Sequence, residues 1–211
     1  QAVLTTLARL GAGMDIVSIW QNRGRLPSDF TPQKAFRDAT EARALAQAVG
    51  QPPMTAIFFA VDFDASISEI ITGVIPYFRT VNEVLAGSYS VGVYGSGLVC
   101  SRLDAENLVL YDWLAGAMGW QGSRAYANAH LTEIEQGKET DPWGFGFNID
   151  TNTAPAGRDF GSWHPQVGAP PVPALDVIEQ ILEYGNFRAG VQAYQQPRGL
   201  VPDGQIGPRT L

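Results

Sequence analysis

Asp62 and Asp64 stand two residues apart in the run Ile57-Phe58-Phe59-Ala60-Val61-Asp62-Phe63-Asp64-Ala65-Ser66, where an apolar stretch ends. Side chains alternate faces along a strand, so Ala60, Asp62 and Asp64 share one side and Phe59, Val61 and Phe63 the other. Parallel strands of α/β proteins are covered on both faces and gather ligands at their carboxyl ends. Two carboxylates on one face at such an end add nothing to a hydrophobic core; they do chemistry or hold a partner. Glycoside hydrolysis needs two carboxyl groups, about 5–5.5 Å apart for retention and about 6.5–9.5 Å for inversion. Residues i and i+2 of a strand lie ~6.5–7 Å apart at Cα, so side chains can reach either separation.

The other predicted strands end on residues suited to the same work. They supply Trp20 and Gln21, Tyr94, Trp120, Gln136 and Asp150. Amide and phenol groups bond sugar hydroxyls, and flat aromatic faces cover sugar C–H surfaces. Structural readings stand beside these. Asp64, just before Ser66, has the position of a helix cap, and Asp150 in Ile149-Asp150-Thr151-Asn152 that of an Asx-turn. Trp20 and Trp120 also suit barrel packing. Glu133 and Glu135 share a strand face, but one face of a barrel strand meets helices, so Gln136 is preferred as the strand-end residue. His130 is read as capping or packing and Trp163-His164 as a loop anchor.

Strands and helices alternate along the chain. A helix over about Thr5 to Ala12 precedes a strand at Asp15 to Trp20. Thr31-Pro32 is a cap followed by proline at the first helical position, opening a helix to about Val49. The strand Ala56 to Asp62 follows, and Ser66-Ile67-Ser68-Glu69 fits a capping box for a helix to about Ala86. Strands are expected at Tyr89 to Tyr94, Trp113 to Met118, Leu131 to Gln136 and Phe147 to Asp150, with helices at about Gly97 to Asn107 and Ser123 to Ala129. Such alternation builds a parallel sheet with right-handed crossovers. The expected fold is an α/β (β/α)₈ TIM-like barrel lacking its first strands. An open doubly wound sheet is the alternative, though no G-x-G-x-x-G follows the first strand. On this reading Asp150 ends the last strand and lies beside the first when the barrel closes.

Residues 1–165 form the expected barrel domain and 166–173 a proline-rich linker. Residues 174–211 form a small all-α module, with Leu175, Ile178, Ile181 and Leu182 at helical spacing. The ends at Gln1 and Leu211 read as cuts through longer structure. A formal net charge of -7 argues against nucleic acid as a partner, and no long uncharged apolar run spans a membrane. The single cysteine, Cys100, forms no internal disulfide, and with two histidines the usual zinc sets cannot be assembled. No metal or cofactor is expected.

The segments Ile57 to Asp64, Val91-Gly92-Val93-Tyr94-Gly95-Ser96-Gly97, Trp113-Leu114-Ala115 and Asn148 to Asn152 together resemble the bacterial glycoside-hydrolase-like domain. That family is a relative of the family 25 lysozyme-type muramidases, which are TIM-like barrels. The resemblance implies that Asp64 takes the place of the muramidase proton donor, a glutamate, with a shorter arm. The run from Val191 to Leu211 is similar to a helical peptidoglycan-binding module, with Gly204 and Gly207 in its turn and Thr210 opening its last helix.

Taken together, these readings point to a hydrolase of bacterial cell-wall peptidoglycan or a related polysaccharide, secreted or held in the envelope. Asp64 would be the proton donor, and Asp62 and Asp150 base, nucleophile or stabiliser. Trp20, Gln21, Tyr94, Trp120 and Gln136 would position the sugar. The rivals are a wall-binding protein whose barrel has lost turnover and, less well supplied with ligands, a metal-dependent esterase or deacetylase.

Overall fold

The computed structural model describes residues 15–135 and 150–165. The predicted helix at Thr5 to Ala12, Gln136, residues 147–149 of the predicted last strand, the linker and the C-terminal module lie outside them. The described elements are β1 (Ser18–Trp20), α1 (Pro32–Ala48), β2 (Ala56–Ala60), α2 (Ile67–Glu69), α3 (Ile75–Leu85), β3 (Ser90–Gly95), α4 (Gly97–Ala105), β4 (Tyr111–Leu114), β5 (Leu131–Glu135) and β6 (Thr151–Thr153).

The local signals act as written in the sequence. The Thr31 side chain accepts from the Lys34 amide with proline opening α1, and Ser66 and Glu69 form a reciprocal capping box on α2. A π-helical turn, Ile70–Val74, joins α2 to α3. Pro76 lacks the N–H that an α-helical ladder needs there, and the Ile75 amide reaches back to the Ile70 carbonyl instead.

The six strands lie in sequence order, β1 to β6, in one curled half-barrel sheet. Strands β1 to β5 pair in parallel. An order without reversal is that of a barrel wall, and it excludes the doubly wound sheet, whose strand order turns back on itself. The alternation of strand residues sorts two cores. Ile57, Phe59, Val61, Val91 and Val93 pack outward against the helices, where Ala35, Ala39, Ala42 and Ala46 give α1 a small-residue face. Ala56, Phe58, Tyr111 and Leu131 form the inner cluster, with Trp113, Ala154 and Phe160 against it.

Two expectations about the end of the domain are corrected. The last described strand begins after Asp150, and it runs antiparallel to β5. Asp150 therefore opens a descending strand next to β5 instead of ending an ascending one next to β1. From β6 the chain passes under the inner face to β1, where Trp163 and Ile16 exchange backbone hydrogen bonds of 2.8 and 2.9 Å. Gly161 makes this passage possible: its φ is +70°, and a Cβ would stand 2.4 Å from that of Ala56. Trp163, buried, donates from Nε1 to Ser18 Oγ at 3.1 Å. The amino ends of the strands are thus floored by residues 154–163, and the carboxyl ends are left as the mouth.

Candidate functional site

Asp62 follows β2 at the mouth, and the loop after β1 closes on it. The Gly24 carbonyl accepts from the Asp62 amide at 2.8 Å. One carboxylate oxygen, Oδ2, accepts from Gln21 Nε2 at 2.9 Å and from Arg25 Nε at 3.1 Å. Oδ1 carries no hydrogen bond among the described residues. The loop reaches this position through two successive left-handed residues, Arg23 at φ 73° and Gly24 at φ 66°. A side chain other than glycine costs about 1–2 kcal/mol in that conformation, and such strain is often held at functional sites. A Cβ on Gly24 would lie 2.6 Å from the Ala60 carbonyl oxygen, so only glycine lets the loop lie this close to β2.

Asp29, buried, fastens the far side of the loop. Its Oδ2 accepts from the amides of Arg25 and Leu26, both at 3.2 Å, and its Oδ1 from Lys34 Nζ at 3.0 Å. Burial works against its charge, yet Lys34 and the two amides outweigh it and hold the carboxyl below the usual aspartate value.

Asp64 is exposed and leans the other way, toward the loop after β4. Its Oδ1 accepts from the Gln121 amide at 2.8 Å, and its Oδ2 has no partner among the described residues. The helix cap is Ser66, not Asp64. Val61 and Phe63, on either side of Asp62, pack with the outer core, and the chain bends at Phe63, whose carbonyl accepts from the Ala65 amide at 2.9 Å. Half-buried Trp120 precedes Gln121 in the same loop, in a turn closed by its amide on the Ala117 carbonyl.

Tyr94, the penultimate residue of β3, lies on the inner face. Its ring stands edge-on to Trp113, with centroids 5.5 Å apart and planes at 90°. Its hydroxyl donates to Glu133 Oε2 at 2.9 Å. The same oxygen accepts from the Gly116 amide at 2.8 Å. Glu133 is only 6% exposed. Trp113 Nε1 donates to Asn152 Oδ1 at 2.8 Å, and Asn152 is the register partner of Glu133.

The mouth therefore gathers Gln21, Asp62, Asp64 and Tyr94 of the predicted residues, together with Arg25, Trp113, Glu133 and Asn152. Asp150 lies at its β5 side, exposed. Trp20 is a correction: because it alternates with inward-facing Gln21, it packs with the outer core beneath the helices, and its buried Nε1 has no partner among the described residues. The sequence alone favours Gln136 over Glu133 because period-two alternation does not say which strand face meets the helices. Leu131 in the inner cluster supplies that answer, for Glu133 is one pleat on. Among the described residues no group of three or more His, Cys, Asp or Glu is placed to hold a metal ion.

At the opposite ends of the strands, buried Asp112 accepts from His130 Nδ1 at 2.5 Å and from the Tyr126 hydroxyl, while His130 Nε2 lies 3.2 Å from Arg158 Nη2. This network ties β4 to β5 and the floor segment, which is structural work. The pairing of His130 with Asp112 and its edge-on contact with Tyr111 fit its expected packing role.

Comparison with known proteins places this architecture. A family model, the Rv2525c-like, glycoside hydrolase-like domain, matches residues 5–154. Among solved structures, the Mycobacterium tuberculosis Tat-secreted protein Rv2525c in complex with L-tartrate superposes with a TM-score of 0.62 at 25% identity, over 73% of this chain and 74% of that one. The same protein in complex with HEPES gives a TM-score of 0.61 at 24% identity, over 73% of each chain. The uncharacterized protein YbfG of Bacillus subtilis is 34% identical over 126 residues, and the uncharacterized protein FadG of the same organism 29% identical over 122. Each match takes in 56% of this chain but only 17% of YbfG and 21% of FadG, so the chain spans about a fifth or less of these relatives.

Proposed function

The chain belongs to the Rv2525c-like glycoside hydrolase-like domain family, and from that premise we propose that it hydrolyses glycosidic bonds of bacterial cell-wall peptidoglycan or a related polysaccharide. The observation that carries this reading is the presentation of Asp62. Its Oδ2 is fixed by Gln21 and Arg25 while Oδ1 is left for a ligand, and Asp64, two residues on, is held by the Gln121 amide of the loop after β4. Asp64 donates the proton to the leaving oxygen. Asp62 stabilises the positive charge that develops on the sugar ring, and Asp150 assists at the rim. Tyr94 and Gln21 bond hydroxyls, and Trp120 and Gln136 complete the sugar-binding surface.

The muramidase-type (β/α)₈ barrel is the parent architecture in this reading, and residues 174–211 form a wall-binding module that raises the local substrate concentration. Export to the envelope is part of the proposal; the description of Rv2525c as Tat-secreted supports it. A second reading, a glycan-binding barrel without turnover, is favoured by the short arm of Asp64 and by the engagement of its Oδ1 with the Gln121 amide.

The test is digestion of purified sacculi, read as release of reducing ends. Asp62→Asn keeps the shape and loses the charge, so release should fall by about 10²–10³-fold, the usual contribution of one electrostatic stabiliser of the transition state. Arg25 is 74% exposed, which limits its pair with Asp62 to about 0–1 kcal/mol, so the melting temperature should hardly move. Sacculi that are bound but never cleaved by the unaltered protein would decide for the second reading.

A further inference from the structure

We propose that Glu133 is the catalytic nucleophile of this mouth, a role the sequence assigns to no residue of β5; the proposal rests on the glycosidase reading above. The sheet register places it. Ala60 pairs with Tyr94, Tyr94 with Trp113 and Trp113 with Leu131, which makes one row across the inner face. One pleat nearer the carboxyl ends, that face carries Asp62 beyond β2 and Glu133 on β5. Asp62 and Glu133 thus each stand two residues beyond that row on the same inner face.

The surroundings of Glu133 are those of a held reactive group. A barrel interior is ordinarily filled by apolar side chains, and a carboxylate that is buried there must be supplied with donors. Tyr94 Oη and the Gly116 amide converge on one oxygen and set the direction of the carboxylate. The Tyr94 ring is steadied by Trp113, and Trp113 by Asn152, the residue directly across from Glu133. Each member of this shelf comes from a different strand or loop, so the position is specified from several sides.

In the reaction, a Glu133 oxygen forms a bond to the anomeric carbon as the bond to the glycosidic oxygen breaks, and that oxygen leaves with the proton of Asp64. Water then attacks the same carbon, returns a proton to Asp64 and releases the sugar and the Glu133 carboxylate. Tyr94, besides its place at the sugar, positions Glu133 through its hydroxyl.

The experiment uses the protein and glycan strands from sacculi. Glu133→Gln should lower reducing-end release by about 10²–10⁴-fold while leaving glycan binding within about threefold. Glu133→Ala in sodium azide should regain turnover and yield glycosyl azide ends detectable by mass spectrometry, because azide takes the vacated place. Tyr94→Phe should lose activity less than Glu133→Gln does. Release by Glu133→Gln within about threefold of the unaltered protein, or loss in Glu133→Ala without azide adducts, overturns the assignment and leaves the glycosidase reading standing. Absence of release by the unaltered protein overturns both.

Discussion

Replacing Gly24 by alanine tests how the loop after β1 is held against Asp62. The residue has φ +66°, and the added Cβ would meet the Ala60 carbonyl oxygen at 2.6 Å, well inside contact distance. The left-handed conformation alone costs about 1–2 kcal/mol, and the forced displacement of packed backbone about 1–3 kcal/mol more. Gly87 is the built-in control. Its φ is +72°, but a Cβ there meets nothing within 4 Å, so Gly87→Ala isolates the conformational part. For a domain of this size 1 kcal/mol moves the melting temperature by about 2–4 °C. Gly87→Ala should therefore lower it by about 2–8 °C, and Gly24→Ala by about 4–20 °C. If the loop yields instead of the fold, the stability loss shrinks but the Gly24 carbonyl leaves the Asp62 amide, and sacculus digestion falls while Gly87→Ala digests normally. Equal melting temperatures for the two variants, with equal digestion, would refute the close-approach argument.

The remaining predictions concern protons and metals. Asp29 is held below the ordinary aspartate value of 3.8, so its stabilisation is present above that pH and is lost as pH falls through the lowered value. Asp29→Asn should then lower the melting temperature at pH 7, with the deficit shrinking only as the pH falls below 3.8 in thermal scans across pH. Burial, with the Asp159 carboxylate on its hydroxyl, pushes Tyr111 up to about 12. Its contribution is complete below the usual tyrosine value of 10.0 and fades as pH rises toward about 12. A tyrosinate absorbance titration should accordingly show, among the late-ionising tyrosines, a group near 12 that Tyr111→Phe removes. The hydrolysis proposed here runs on carboxyl groups alone, so EDTA should leave digestion unchanged and calcium or magnesium should not raise it. Metal dependence would revive the esterase or deacetylase reading.

Local signals in the sequence settled much of this protein. Thr31-Pro32 and Ser66 to Glu69 carry their own hydrogen-bonding partners within a turn, so those helix starts could be read without a fold. The packing of Val61 and Phe63 against the core is equally local, whereas the bend at Phe63, with Asp64 held by the loop after β4, is not. Other features depend on which distant surface a strand meets. Trp20 and Gln21 are neighbours with opposite fates, and Glu133 is a mouth residue only because Leu131 faces inward; period-two patterning specifies two faces but does not label them. The antiparallel entry of β6, which moves Asp150 beside β5, and the floor segment that lets Trp163 reach Ile16 are long-range pairings. No short-range preference encodes them, because their hydrogen bonds and packing exist only once the sheet has curled.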